Sequence, residues 1–212
     1  MKVLANDGIS AKAKAELESQ GITVSTDHIE QSALIDTLNA EGYAGLLVRS
    51  ATKVRQDLID ACPNLRFIGR GGVGMDNIDV AYAREQGKVV FNTPAASSQS
   101  VAELVMAHLF AMARSLHRSY QEMPERGASE FKVLKKAYAK GIELRGKTLG
   151  VVGFGRIGTA VAQYALGCGM EVIGVDRTGT SREVNVQIPT GGGAVHNVAV
   201  EVPLVSLQDM LS

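Results

Sequence analysis

The chain has 212 residues, of which 45% are hydrophobic and 21% are charged, and its 22 basic and 22 acidic side chains leave no net charge. Because a nucleic-acid-binding surface needs an excess of Lys and Arg, this balance argues against a nucleic-acid partner. No apolar run is long enough to span a bilayer and the N-terminus holds no signal-peptide core, so we expect a cytoplasmic protein without a membrane partner.

The first 94 residues contain five short apolar runs, each bounded by Gly, Asn, Asp or Pro. Runs this short favour buried strands, and the segments between them show the spacing of helices. The alternation of strand and helix predicts an α/β unit whose parallel sheet is covered on both faces. The predicted strands are Lys2–Ala5, Ile22–Ser25, Gly45–Val48, Arg66–Gly69 and Lys88–Phe91.

Capping residues mark the ends of the intervening helices. Ser10 is placed to cap the first helix, and Gly21 and Gly42 follow helices as stop signals. Pro63 ends the third helix because the residue before a proline avoids helical geometry. Asn77 is predicted to cap the fourth helix at its N-terminus. These boundaries agree with a strict alternation of strands and helices.

Polar and glycine-rich segments follow three of the predicted strands: Arg49-Ser50, Gly71–Gly74 and Asn92–Pro94. Parallel sheets bind their ligands beyond the carboxyl ends of the strands. These three segments are therefore the first place to look for a binding site in the N-terminal part of the chain.

A longer helix is predicted over residues 100–118, where Ser100 and Glu103 form a capping box. Leucine, valine and methionine recur at helical spacing, and alanines extend the apolar surface beyond one face. We therefore expect this helix to be buried on two sides, between domains or between subunits. His108 lies within it and is expected to face an apolar surface as a packing residue.

Two later stretches are less regular. Residues 120–147 are polar and charged, and we interpret them as a surface arm with some helix near residues 131–139. Residues 177–205 hold two alternating segments around a glycine-rich turn, which predicts either a hairpin or two successive strands. Ser206 then begins another helix, with Asp209 completing a capping box.

The segment VVGFGRIGTAVAQ places Gly153, Gly155 and Gly158 in the G-x-G-x-x-G spacing, after an apolar strand and at the start of a helix. The first glycine permits a tight turn, the second lets backbone approach a pyrophosphate, and the third lets helix and strand pack closely. The first helical residues, Arg156 and Ile157, present free N–H groups and the positive end of the helix dipole. The pattern predicts a dinucleotide cofactor.

Asp176 ends the next predicted strand, at the usual distance from the glycine loop for a residue that binds ribose. A carboxylate accepts hydrogen bonds from the 2′- and 3′-hydroxyls and repels a 2′-phosphate, which predicts NAD over NADP. The neighbouring Arg177 is the contrary signal, since an arginine could offer charge to a 2′-phosphate.

Two long stretches resemble the D-isomer-specific 2-hydroxyacid dehydrogenase family. One begins RFIGRGGVGMDN at Arg66, and the other begins ELRGKTLGVVGFGRIG at Glu143 and ends at Asp176. The resemblance implies a flavodoxin-like substrate domain over residues 1–94 and a Rossmann-like NAD-binding domain over residues 95–212, incomplete here, with the active site in the cleft between them. It also implies a homodimer or higher homo-oligomer.

The same resemblance assigns roles to individual residues. Within the family, VRSATKV is most similar to the members that oxidise D-3-phosphoglycerate to 3-phosphohydroxypyruvate in serine biosynthesis. Substrate contacts are implied for Arg49, Ser50, Gly72, Val73 and Gly74. Cofactor contacts are implied for Val73, Gly153, Gly155, Arg156, Ile157, Gly158 and Asp176.

No catalytic residue can be assigned in this chain. The family uses an Arg, a Glu and a His late in the NAD-binding domain, and none of the four histidines lies in a matching motif. A βαβ unit takes about 30 residues or more, so we expect the residues after Gly153 to hold one mononucleotide half. We therefore expect a chain that lacks the catalytic part and is inactive alone. The histidines are His28, His108, His117 and His196.

Other functions stay open beside this one. The chain could be a non-catalytic NAD-binding or dimerisation module of the corepressor type. Within the enzyme class, it could instead belong to a glyoxylate or hydroxypyruvate reductase, a D-lactate dehydrogenase or a formate dehydrogenase. Cys62 and Cys168 form no C-x-x-C pair, which predicts reduced, mostly buried thiols and no metal site.

Overall fold

The computed structural model describes residues 1–212, which divide into two compact units, Met1–Ser97 and Ser98–Ser212. We call them the N-terminal unit and the C-terminal unit. That the first is a substrate domain and the second an NAD-binding domain stays a prediction. None of the helices is both long and apolar enough to cross a membrane.

The N-terminal unit is a five-stranded parallel sheet with the strand order β2-β1-β3-β4-β5, which is the flavodoxin-like order. This confirms the predicted fold class for this part of the chain, and all five strands lie within one residue of the predicted positions. Its elements are β1 (Lys2–Ala5), α1 (Ala11–Ser19), β2 (Thr23–Ser25), α2 (Leu34–Ala40), β3 (Gly45–Val48), α3 (Gln56–Ala61), β4 (Phe67–Arg70), α4 (Val80–Glu85) and β5 (Val89–Asn92).

The predicted helix boundaries of this unit are confirmed with one exception. The Ser10 hydroxyl accepts a hydrogen bond from the Ala13 N–H at 3.2 Å, and Gly21 and Gly42 take positive φ values of 78° and 66° after their helices. The prediction for Asn77 is wrong. The residue preceding α4 is Asp79, while the buried Asn77 side chain bonds to backbone carbonyls of a neighbouring loop.

The C-terminal unit begins with two helices where the sequence predicted one. α5 spans Ser98–Ala113 and α6 spans Leu116–Tyr138, because Ser115 adopts a left-handed conformation with φ 52° that ends the first helix. The predicted helix over residues 100–118 is thus confirmed as far as Ala113, but its continuation to residue 118 is wrong, and so is the capping box at Ser100, which lies inside α5.

The prediction of a surface segment over residues 120–147 is confirmed, since Leu134 is its only buried residue, but the helix predicted near residues 131–139 is part of a longer one. α6 continues through Pro124 and Gly127, with non-helical geometry at Glu130. Its i, i+4 ion pairs explain why a charged segment is helical here: Arg126 contacts Glu122 at 3.0 Å and Glu130 at 2.6 Å.

Within the single chain α5 is buried on one face, and the predicted burial of a second face against another subunit stays a prediction. Ala102, Met106 and Ala113 are buried, and Ala102 packs with residues of a later helix. Leu104, Phe110, Met112 and His108 are exposed, so His108 does not face an apolar interior.

The second half of the unit starts as a parallel β-α-β arrangement and ends in an antiparallel hairpin. Between the two alternatives for residues 177–205, the structure gives the hairpin, with Gly192-Gly193 between its strands. Ser206 caps the last helix as predicted, since its hydroxyl accepts from the Asp209 N–H at 3.1 Å. The elements are β6 (Thr148–Val152), α7 (Arg156–Gly167), β7 (Glu171–Val175), β8 (Ser181–Gly191), β9 (Ala194–Pro203) and α8 (Leu207–Leu211).

Candidate functional site

The strand order of the N-terminal unit places a crevice at the carboxyl ends of β1 and β3. Chain connections leave β1 in opposite directions along the sheet, and such a switch point is where open α/β sheets bind ligands. A cleft of about 770 Å³ lies at these ends, next to those of β4 and β5. Its lining includes Asp7, Arg49, Arg70, Gly71 and Thr93.

The loop that follows β3 and carries Arg49 is held by a carboxylate at the end of β1. Asp7 Oδ2 accepts hydrogen bonds from the Arg49 N–H at 2.6 Å and the Thr52 N–H at 3.2 Å. Its Oδ1 accepts from the Thr52 hydroxyl at 2.6 Å. Burial raises the pKa of Asp7, but the hydroxyl of Thr52 and the N–H groups of Arg49, Thr52 and Ala51 outweigh it, so its pKa lies below the ordinary value.

The N-terminal unit has three buried polar residues, and the hydrogen bonds of all three involve the loop after β3. They are Asn6, Thr52 and Asn77. The Asn6 amide donates to the Thr52 hydroxyl at 2.8 Å. The Asn77 amide donates to the carbonyls of Arg49 at 2.8 Å and Thr52 at 2.7 Å. Since buried polar groups are costly unless hydrogen-bonded, these contacts fix the backbone of residues 49–52.

Arg70, at the end of β4, is tied to this arrangement. Its Nε donates to the Asn77 side-chain oxygen at 3.0 Å and to the Arg49 carbonyl at 3.3 Å. The predicted substrate residues Arg49 and Ser50 themselves are exposed. The Arg49 side chain is thus exposed to solvent, while the backbone that carries it is fixed by hydrogen bonds.

The glycine segment after β4 lies beside the same cleft. The Gly72 N–H donates to the Thr93 hydroxyl at 2.9 Å, and the Asn92 amide donates to the Val73 carbonyl at 2.6 Å. The Val73 side chain is 46% exposed, and Gly74 is exposed as well. The substrate and cofactor contacts of Gly72, Val73 and Gly74 stay predictions.

The glycine loop of the C-terminal unit has the geometry that its sequence predicts. Gly153 has φ 89°, in the region that side chains disfavour. A Cβ at Gly158 would overlap the carbonyl oxygen of Gly153 and lie 3.1 Å from Val151 Cγ1, so α7 approaches β6 as closely as glycine allows. A Cβ at Gly155 would meet no atom within 4 Å and would point into open space.

A second cleft, of about 590 Å³, joins the glycine loop to the end of β7. Exposed backbone at Gly153 and Gly155 lies on one side of it, and Asp176 and Arg177 lie on the other. Arg156 and Ile157, both exposed, form the first turn of α7. These residues fit a dinucleotide, because open space above Gly155 and free N–H groups at a helix N-terminus suit a pyrophosphate and Asp176 suits a ribose.

Asp176 has a partner that the sequence did not reveal. Its Oδ1 accepts from the Arg177 N–H at 2.6 Å, and its Oδ2 lies 3.4 Å from Nη2 of Arg182, near the start of β8. The sequence analysis missed Arg182 because its contact with Asp176 forms only when the hairpin packs beside β7. Asp7 and Asn77 were missed for the same kind of reason, since their partners lie in other loops.

The histidines line neither of the two clefts. His28 contacts the Asn6 carbonyl through Nδ1 at 3.0 Å, and His108, His117 and His196 are exposed on α5, α6 and β9. The two cysteines are free thiols; Cys62 is buried as predicted, whereas Cys168 is only partly buried. Neither cleft therefore contains a histidine that could act as a general base.

Comparison with known protein families gives a match over most of the chain. The model described as D-isomer specific 2-hydroxyacid dehydrogenase, catalytic domain, matches residues 3–188. A hydroxypyruvate reductase of Thermotoga maritima is 44% identical over 176 residues, which cover 82% of this chain and 55% of that protein. A D-3-phosphoglycerate dehydrogenase of Methanocaldococcus jannaschii is 43% identical over 177 residues, which cover 83% of this chain and 32% of that protein.

Solved structures show the same architecture. The TT0316 protein from Thermus thermophilus superposes with a TM-score of 0.71 and 30% identity, covering the whole of this chain and 61% of that one. The chain thus spans between about a third and somewhat over half of the length of the proteins it matches.

Proposed function

Because this chain belongs to the D-isomer-specific 2-hydroxyacid dehydrogenases, we propose that it forms the substrate-binding and dinucleotide-binding part of an NAD-dependent oxidoreductase. The supporting observation is the second cleft, where a glycine loop with room for a pyrophosphate faces the carboxylate of Asp176. NAD bound there supplies a hydride acceptor. Gly153, Gly155, Gly158, Arg156 and Ile157 would bind its pyrophosphate, and Asp176 would bind its ribose.

For the substrate we propose a 2-hydroxy acid, with D-3-phosphoglycerate as the first candidate. Its carboxylate and phosphate need cations, and the exposed guanidinium of Arg49 offers a planar fork for bidentate binding. Gly72, Val73 and Gly74 would contact the substrate from the neighbouring loop, with Val73 also approaching the cofactor. The 43% identity to a D-3-phosphoglycerate dehydrogenase is consistent with this candidate.

A reductase of hydroxypyruvate or glyoxylate is the second candidate, supported by the 44% identity to a hydroxypyruvate reductase. The two substrates differ in one respect that binding can measure, because hydroxypyruvate lacks the phosphate. Calorimetric titration of the chain with D-3-phosphoglycerate and with hydroxypyruvate separates them. Preference for the phosphorylated acid supports the first candidate, and equal or reversed preference supports the second.

The 212-residue chain is expected to bind NAD⁺ without turning it over. Hydride transfer from a hydroxy acid needs a base for the hydroxyl proton, and no histidine lines either cleft. Calorimetry should give saturable NAD⁺ binding, and absorbance at the NADH band should stay flat both with NAD⁺ plus D-3-phosphoglycerate and with NADH plus hydroxypyruvate. Steady NADH formation in the first mixture or NADH consumption in the second would contradict the second expectation, and the absence of NAD⁺ binding would contradict the proposed function. Binding that shifts the oligomeric state would favour the corepressor-type module.

We further propose that the chain associates with itself through the exposed apolar face of α5. Leu104 and Met112 are exposed there, with Met112 75% accessible. Met112→Glu should shift the protein toward monomer in sedimentation velocity without unfolding the monomer, since the side chain is largely exposed in the single chain. Leu211→Glu, at a 77% exposed leucine on α8, is the matched control and should leave the distribution unchanged. A wild-type chain that is already monomeric at high concentration contradicts the proposal.

A further inference from the structure

The hairpin that follows β7 is anchored to the rest of the C-terminal unit. Val184 and Val202 are buried in its core, and the amide of Gln163 on α7 donates to the Asn185 carbonyl at 2.8 Å. At the hairpin base, the Val205 N–H donates to the Gly174 carbonyl at 2.8 Å. The start of β8, with Arg182, is therefore held at a fixed place beside the end of β7.

This placement alters the charge of the ribose end of the second cleft. Asp176 is paired with Arg182, and Arg177 follows it directly with an exposed side chain. The two guanidinium groups outnumber the one carboxylate, so the local charge is positive where an unpaired aspartate would make it negative. Arg182 also keeps hydrogen-bonding capacity, because its side chain is 42% exposed and its one hydrogen bond is made by Nη2 to Asp176.

We infer that Arg182 adapts the cleft to a ribose 2′-phosphate, so that the chain binds both NAD⁺ and NADP⁺. The discrimination that an aspartate gives at this position rests on repulsion between its carboxylate and the phosphate dianion. The ion pair with Arg182 weakens that repulsion, and the partly exposed guanidinium offers the phosphate a charge-assisted hydrogen bond. This inference rests on the proposed function, since it concerns the same dinucleotide site.

Calorimetric titration of the 212-residue chain with NAD⁺ and with NADP⁺ tests the inference. The wild-type dissociation constants should agree within about tenfold, and Arg182→Gln should weaken NADP⁺ binding by about tenfold or more while changing NAD⁺ binding by less than about threefold. Arg182→Lys keeps the charge and should recover part of the NADP⁺ affinity. A merely structural role for Arg182 would change both constants alike, so their ratio is the informative quantity.

Arg118→Gln is the matched control. It also removes one arginine–carboxylate pair of the C-terminal unit, the contact with Glu122 at 3.3 Å on α6, and should leave the ratio unchanged. If the wild-type chain binds NAD⁺ with a dissociation constant lower than that for NADP⁺ by about a hundredfold or more, the inference is overturned and the proposed function stays intact. An equal loss of both cofactors in Arg182→Gln also overturns it. If neither dinucleotide binds the wild-type chain, the proposed function fails and the inference fails with it.

Discussion

Gly158→Ala is expected to destabilise the C-terminal unit by about 3 kcal/mol and to abolish NAD⁺ binding. The added methyl group would overlap the carbonyl oxygen of Gly153 and press on Val151, and neither can yield cheaply. The first is backbone of the tight turn itself, and the second lies on β6. Relief requires α7 to move away from the strand, which displaces the helix N-terminus that the pyrophosphate needs.

Two measurements check this expectation separately. Denaturant unfolding gives the change in stability, and hydrogen exchange of amides in β6 and α7 shows whether the loss lies in the C-terminal unit. Calorimetry gives the NAD⁺ dissociation constant. Unchanged exchange in these two elements, together with unchanged affinity, would show that the close approach of helix and strand at Gly158 is not required.

Gly155→Ala is the matched control because it changes the same loop by the same methyl group. Gly155 has φ −81°, which alanine adopts without strain, and no atom lies within 4 Å of the position of its Cβ. Since Gly155 is also the N-cap of α7, where alanine is less favourable than glycine, stability should fall by no more than about 1 kcal/mol. NAD⁺ binding should nonetheless weaken by about tenfold or more, because the methyl group occupies the open side of the cleft where backbone must approach the pyrophosphate.

The parts of the fold that sequence predicted are those set by local signals. Short apolar runs between glycine and polar residues located all five strands of the N-terminal unit, since the inner strands β1, β3 and β4 are at least half buried and therefore mostly apolar. The edge strands β2 and β5 each have one buried residue and still carry the same apolar signal. The glycine loop was predicted from the sequence for the same reason. Glycine is the residue that suits the positive φ at Gly153 and the close approach of α7 to β6 at Gly158.

The misplaced helix boundaries have a physical cause that the sequence does not display. Ser115 takes a left-handed conformation without being glycine or asparagine, so the break between α5 and α6 carries no local stop signal. The Ala113 carbonyl at this break accepts a hydrogen bond from the Ile142 N–H at 2.9 Å. A contact between residues so far apart in sequence stabilises the break, and no periodicity within residues 100–118 reveals it.

The same reasoning explains which site residues were found and which were missed. Arg49 and Asp176 stand at strand ends, where the chemistry of a single residue suggests a ligand. Asp7, Asn77 and Arg182 act through partners in other segments, and only the folded chain brings those partners together. Asn77 shows the difference most clearly. Its local sequence favours a helix cap, whereas its amide donates hydrogen bonds to the loop after β3.

Asp7→Ala is expected to destabilise the N-terminal unit by about 2–4 kcal/mol and to weaken binding of anionic substrates. The substitution removes the acceptor of three hydrogen bonds and leaves the Arg49 N–H, the Thr52 N–H and the Thr52 hydroxyl without it. The backbone that presents Arg49 then loses its support from β1. Denaturant unfolding and titration with D-3-phosphoglycerate measure the two effects, and Asp57→Asn, at an exposed carboxylate on α3, should change stability by less than about 0.5 kcal/mol.

The pH dependence of Asp7→Asn distinguishes a charged anchor from a merely polar one. Because the pKa of Asp7 is lower in the folded protein than its ordinary value of 3.8, the ionised carboxylate stabilises the fold. That contribution is complete above pH 3.8 and is lost as the pH falls through the lowered folded pKa. The stability difference between wild type and Asp7→Asn should therefore be constant near neutral pH and shrink in acid. A difference that stays the same in acid would mean that the loop needs only an acceptor from Asp7, and that its charge contributes nothing.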